Sequence, residues 1–223
     1  MAGQVKYPGR LIAVDGSRGK DTTAAADAIV ERMRGSGVEC AISRWDASGL
    51  FGDLAESARG DRHISMRTLA LVYASDLAFR LRWEIRPVLE AGGVVVAAPY
   101  IETAIAFGAT CGLSEEWTRQ LLRFAPDADV RARGDERKID KPWTRRTDRG
   151  FPEYCATMLD AGAPRKLTKG ARHEMMRMLD QRRGRKIFTV SDKEGLDAVA
   201  KAITDNRQGA PRPSASRPRN GRR

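Results

Sequence analysis

The chain has 223 residues, with 40 Lys and Arg against 29 Asp and Glu, a net charge of +11 and a pI near 10.1. A hydrophobic fraction of 41% over that length gives one α/β domain enough chain for a substantial core, and the cationic excess favours an anionic partner, nucleic acid first. Three widely spaced cysteines, Cys40, Cys111 and Cys155, exclude a disulfide framework and a zinc site and suit a reducing compartment. No apolar run reaches the roughly 18 residues of a membrane span and no signal-peptide core opens the chain, so a soluble cytoplasmic protein without a membrane partner is expected.

Residues 1–9 form a polar leader closed by Pro8-Gly9, and Arg10–Val14 predicts a first strand buried on both faces. A helix follows from about Lys20 to Arg34, with Ala26, Ile29, Val30 and Met33 on one face and Gly35-Ser36-Gly37 as its stop. Val38–Ser43 reads as a second strand, and Arg44 to Gly49 lie at its carboxyl end, where open α/β sheets place ligands. A short helix over Leu50–Ala58 precedes a long one capped by Ser65, which turns Leu69, Val72, Tyr73, Leu77, Leu81 and Ile85 inward. Pro87 is expected to bend or end it, and Gly92-Gly93 closes it. Val94–Ala98 is the third strand, Tyr100–Phe107 a helix, and Ser114-Glu115-Glu116 opens another to about Phe124.

From Asp127 to Arg149 charge replaces pattern, and no fourth strand is evident there. Helices are expected over Phe151–Leu159 and Gly170–Gln181, and a last strand over Lys186–Val190. Ser191-Asp192-Lys193-Glu194 reads as a capping box for a final helix with Leu196, Val199, Ala200 and Ile203 inward. Beyond 206 the tail, with six arginines and no acids over 207–223, reads as disordered. Alternating strands and helices predict a three-layer α/β fold of the P-loop kinase type, spanning residues 10–205, with a mostly parallel central sheet.

The stretch Asp15-Gly16-Ser17-Arg18-Gly19-Lys20-Asp21-Thr22-Thr23 joins the first strand to the first helix. Glycines in such a loop let backbone N–H groups turn onto phosphate oxygens, a lysine adds a point charge, and the helix start adds its dipole. The full phosphate-loop pattern needs a glycine where Val14 stands, so the loop reads as shortened.

Four stretches resemble thymidylate kinases: Arg10–Gly16, Ser43-Arg44, Leu71–Tyr100 and Tyr100-Ile101-Glu102-Thr103 with Ala106-Phe107. The resemblance covers about residues 10–127. It implies transfer of the γ-phosphoryl group of ATP, with Mg²⁺, to a thymidine-like acceptor, and it leaves room for a homodimer. Two positions depart from the family pattern. Ala98-Pro99 stands where an Asp-Arg pair is expected and Leu77 where an arginine is expected, and in the family both arginines are associated with the acceptor's phosphate. An ungapped register would put Thr22 at the loop lysine; a two-residue shortening keeps Gly19-Lys20 there and is preferred.

On that register Lys20 would hold the β- and γ-phosphates, the amides of Gly16, Ser17, Arg18 and Gly19 would cradle them, and Asp21, Thr22 and Thr23 would complete the site, with Thr22 or Thr23 ligating the metal. Arg44, and the lid-like Arg133, Arg137, Arg145, Arg146 and Arg149, would neutralise the transferring group. Asp15 could orient or deprotonate an acceptor hydroxyl, with Asp46 and Glu102 as alternatives. Phe79, Tyr100 and Phe107 could stack on a pyrimidine, although aromatics at such spacing are more often core. Arg80 or Arg82 could supply a relocated phosphate clamp.

The missing arginines and the basic chain favour an acceptor carried in DNA, a hydroxymethyluracil base, as in the DNA-acting kinases of bacterial viruses that are considered relatives of thymidylate kinases; such a protein would work in the host cytoplasm. Two alternatives stand beside it: a kinase of free dTMP, and an inactive relative that binds nucleic acid.

Overall fold

The computed structural model describes residues 7–57, 63–134, 150–159, 167–181 and 186–207. Five parallel strands, β1 (Arg10–Val14), β2 (Cys40–Arg44), β3 (Val94–Ala98), β4 (Val130–Gly134) and β5 (Ile187–Val190), form one sheet in the order β2-β3-β1-β4-β5. Nine α-helices are described: α1 (Gly19–Gly35), α2 (Leu50–Ser57), α3 (Met66–Arg80), α4 (Arg86–Glu90), α5 (Ile101–Thr110), α6 (Glu115–Leu121), α7 (Phe151–Ala156), α8 (Lys169–Gln181) and α9 (Lys193–Arg207). Every residue of β1 and β3 is buried, as strands covered on both faces must be.

Alternation along the strands sorts the core into two layers. Ile12, Val14, Val94, Val96, Val130 and Ala132 face α1 and α9, whereas Leu11, Ala13, Val95 and Ala97 face the larger cluster built with α3, α5, α7 and α8. The three-layer expectation therefore holds. The chain leaves β1 into α1 on one side of the sheet and leaves the adjacent β3 into α5 on the other. The carboxyl ends of β1 and β3 thus flank a topological switch point, the crevice where ligands bind in open parallel sheets.

Two elements differ from the sequence reading, and a third takes a specific form. The break in regular helix expected at Pro87 is a π-helical turn (Leu81–Ile85) that joins α3 to α4, and the Arg86 N–H donates to Leu81 O five residues back. Proline then falls in the first turn of α4, where its missing N–H is tolerated. The charged run hides β4, whose sequence Val-Arg-Ala-Arg-Gly alternates core and cation, so composition masks its period of two. At α9 the cap is Asp192, whose Oδ1 accepts from the Gly195 N–H at 3.0 Å, in place of the predicted Ser191. Ser65 and Ser114 do cap α3 and α6, accepting from the Thr68 and Trp117 N–H groups. α9 runs to Arg207, and the arginine-rich tail after it lies outside the described residues.

Candidate functional site

The loop between β1 and α1 is four residues long, Asp15 to Arg18. It is tight, because the Thr22 N–H and the Thr22 hydroxyl both donate to Arg18 O, at 3.1 and 2.9 Å, and helical bonding begins at once. The open cradle of inward amides expected from Gly16 to Gly19 is accordingly filled by protein groups. The Gly16 N–H donates to Thr103 Oγ1 at 3.0 Å and the Gly19 N–H to Glu153 Oε2 at 3.1 Å. Arg172 on α8 donates to Glu153 Oε1 at 2.6 Å and to Ser17 O at 2.8 Å. Arg18 and Lys20 are exposed, Asp21 and Thr23 are half-buried, and Ser17 and Thr22 are buried.

Asp15 is 5% exposed at the switch point. Its Oδ1 accepts from the Tyr100 N–H (3.1 Å), the Thr103 N–H (2.9 Å) and the Thr103 hydroxyl (2.8 Å), so it caps α5 from a neighbouring strand. Its Oδ2 is buried without a hydrogen-bond partner. Burial raises its pKa; the Thr103 and Tyr100 hydrogen bonds and the Arg131 charge oppose that rise. Expected as an acceptor-facing base, Asp15 is in this structure the joint between β1 and α5.

Around it lies a layer of buried charge. Arg80, fully buried, donates through Nε to Ser43 Oγ (2.9 Å), through Nη2 to Ser43 O (3.0 Å), and through both Nη atoms to Pro99 O (3.1 Å each). It locks the ends of β2 and β3 together and has no face turned to an acceptor phosphate. Glu102, 3% exposed on α5, accepts from Arg119 at 3.2 and 3.4 Å, and Arg131 of β4 stands 4.0 Å away. Asp76, fully buried, accepts from the Asp46 N–H, the Ser48 N–H and the Ser48 hydroxyl. It shapes a loop in which Asp46 holds a left-handed backbone (φ 60°) and caps α2 through the Phe51 N–H at 2.9 Å. Desolvation raises the Asp46 pKa.

Of the remaining expected residues, Arg44 pairs at 2.6 Å with Asp27 on the exposed side of α1. Arg133 is a strand residue, held by Asp180 and by Thr189 Oγ1 at 3.2 Å, so it is no part of a lid. Arg137, Arg145, Arg146 and Arg149 lie outside the described residues. Phe79 turns outward at 39% exposure, apart from the buried cluster that holds Tyr100 and Phe107. Tyr100 and Phe107 are core: the Tyr100 hydroxyl donates to Pro126 O at 2.8 Å, and the Phe107 ring packs 5.9 Å from Phe151.

Phe151, Glu153 and Arg172 were not singled out by the sequence. Phe151 is buried among Tyr73 (centroids 4.6 Å apart), Trp45 (5.7 Å), Phe51 (5.8 Å) and Phe107. Its Gly-Phe-Pro-Glu context signalled a helix start, but nothing in one chain indicates a partner 19 residues on or a loop more than a hundred residues back.

A nucleotide and Mg²⁺, which this fold implies, can be tested against these groups. The loop already receives an anionic oxygen, the Glu153 carboxylate, on the first amide of a 17-residue helix. A Cβ on Gly16 would stand 2.7 Å from Thr22 Oγ1, so that hydroxyl lines the loop's inner side. Mg²⁺ keeps several waters and relies on substrate phosphates, and Thr22 Oγ1 is the protein oxygen that would reach it from the loop. The groups fit, provided the Gly150–Glu153 turn makes way. Among the described residues no cluster of three or more His, Cys, Asp or Glu could hold a metal by itself, and no helix is long and apolar enough to cross a membrane. The three cysteines are free thiols.

Five parallel strands between two helical layers, with β1 central and its following loop at the switch point, make this a three-layer α/β fold of the P-loop kinase type. Sequence comparison then narrows the kinship. The chain is similar to a probable thymidylate kinase of Pyrococcus abyssi, 29% identical over 128 residues, which are 55% of this chain and 62% of that protein. It is also similar to a thymidylate kinase of Xylella fastidiosa, 26% identical over 130 residues (58% and 60%), and to a probable thymidylate kinase of Thermococcus kodakarensis, 29% identical over 129 residues (54% and 63%). No family model matches the chain. The chain covers less than two thirds of the length of each of these relatives, and what the similarity supports is kinship with thymidylate kinases.

Proposed function

We propose that this protein is an ATP-dependent phosphotransferase of the thymidylate-kinase type, acting on dTMP or a closely similar nucleotide at the crevice between β1 and β3. The observation that carries this reading is an anionic oxygen already held at the amide end of α1, on a fold and a sequence similar to thymidylate kinases. In this reading Lys20 and the amides of the α1 start neutralise and position the phosphates, Thr22 supplies the hydroxyl for Mg²⁺, and Asp15 holds α5 against β1 so that the crevice keeps its shape. Phosphoryl transfer asks for such positioning and charge more than for covalent chemistry.

A second reading has its own support. The positions where the resemblance expects acceptor-phosphate arginines carry Leu77 and Pro99, and Arg80 is fully engaged by Ser43 and Pro99. A hydroxylated base in DNA, such as hydroxymethyluracil, needs no clamp for a terminal dianion, and a +11 chain attracts a polyanion. One assay separates the readings: ATP labelled at the γ-phosphate, with Mg²⁺, offered dTMP, thymine-containing DNA and hydroxymethyluracil-containing DNA. Label in dTMP is expected from the first reading and label confined to hydroxymethyluracil DNA from the second. Label in none would leave a nucleic-acid-binding protein with a kinase fold.

A further inference from the structure

The amide end of α1 is covered by one turn of chain, Gly150 to Glu153. The Glu153 carboxylate receives the first amide of α1 on one oxygen and the Arg172 guanidinium on the other, 3.1 and 2.6 Å away. Those are the two kinds of donor that take a phosphate oxygen: a backbone N–H at the positive end of a long helix, and a forked cation. Two residues earlier, Phe151 is 1% exposed in the aromatic pocket beside the loop, formed by Trp45, Phe51, Tyr73 and Phe107. An acid in the anion position next to an aromatic ring in the apolar position has the outline of a phosphorylated nucleoside.

The fit depends on two missing side chains. A Cβ on Gly150 would lie 1.8 Å from Gly19 Cα, and a Cβ on Gly19 would meet Gly150 just as closely. Gly150 has φ −63° and ψ 157°, ordinary extended backbone that alanine adopts freely. Only the contact with the loop calls for glycine there.

We infer that the Gly150–Glu153 turn is a built-in occupant of the nucleotide site, with Glu153 standing where a nucleotide phosphate binds and Arg172 becoming a phosphate partner once the carboxylate leaves. This rests on the phosphotransferase reading above and adds regulation to the same site. Because the closed conformation cannot accept nucleotide, the apparent affinity is lowered by the fraction of molecules that are closed. Nucleotide must displace the turn, and with it α7.

Equilibrium dialysis of MgATP against the full chain tests this, using the native protein, Glu153→Gln, Gly150→Ala and the double variant Glu153→Gln/Arg172→Gln. Glu153→Gln and Gly150→Ala should each bind about fivefold tighter or more than the native chain. Adding Arg172→Gln to Glu153→Gln should weaken binding by about tenfold, the loss of one charge-assisted contact. Hydrogen exchange in peptides covering 151–156 should speed up in the native chain when MgATP is added. Native chain that binds MgATP while both Glu153→Gln and Gly150→Ala bind no tighter would overturn the built-in occupant and leave the phosphotransferase reading standing. Slower exchange in α7 with MgATP would overturn it too, since the turn would then be part of the loaded site. Failure of all four chains to bind MgATP would overturn both.

Discussion

Asp15 shows how one buried carboxylate can serve the fold at a cost that varies with pH. Its Oδ1 gathers three donors from the start of α5, while its Oδ2 has none. Burial raises its folded pKa above the unfolded value of 3.8, so the folded state binds the proton more readily than the unfolded one. The stability this group contributes is therefore full below about pH 3.8 and is lost as pH rises through the folded value. Asn at this position keeps the accepting oxygen and carries no charge. The urea midpoint of Asp15→Asn relative to the native chain should rise from pH 4 towards pH 7; a gap that shrinks would show that the ionised form is the one the fold favours. Asp15→Ala deletes the cap and should cost about 2–4 kcal/mol at pH 7.

Arg80 is the opposite case, a buried cation satisfied by neutral oxygens. Arg80→Met leaves Pro99 O and Ser43 O without their guanidinium donors, so a loss of about 2–4 kcal/mol in urea denaturation is expected. Arg80→Lys should recover little of it, because a lysine cannot span the same fork. A lysine variant as stable as the native chain would contradict the assignment of Arg80 as a structural tie.

At the scale of elements, capping chemistry and strand burial were the legible part of the sequence. Leu11–Val14 and Val94–Ala98 are uniformly apolar because both faces of a central parallel strand are covered, and Ser65 and Ser114 announce helix starts through a local side-chain bond. Ser65→Ala should accordingly cost about 1 kcal/mol, measured by thermal or urea melting; no loss would mean that Thr68 finds another acceptor. β4 was hidden because Arg131 and Arg133, on one face of the strand, meet polar partners, Glu102 for the first and Asp180 with Thr189 for the second, and a cation in a strand reads as a loop when its partner is far along the chain. The same blindness covers the site. The loop's glycines and Lys20 stand out by spacing, whereas Glu153, Arg172 and Phe151 act there through contacts across more than a hundred residues. Arg80, legible as a cation on a helix, becomes a core residue only once β2 and β3 are set side by side. Ser43 and Pro99 stood out in the sequence by resemblance, but nothing there paired either of them with Arg80.

For the molecule as a whole, the sheet order places a crevice between β1 and β3, and the charge sets how the chain responds to polyanions. An excess of +11 predicts attraction to any polyanion, with affinity that falls steeply as salt rises. Binding to a duplex oligonucleotide should weaken by about tenfold or more between 50 and 200 mM salt, and an affinity indifferent to salt would detach the charge from nucleic acid altogether. The central claim concerns the anion-holding start of α1. It is tested most directly by the rate of γ-phosphoryl transfer from MgATP to dTMP or to hydroxymethyluracil-containing DNA, measured for the native chain and for Lys20→Ala. Removal of that ammonium should slow transfer by about a hundredfold or more, whereas equal rates in the two chains, or no transfer by the native one, would contradict the account.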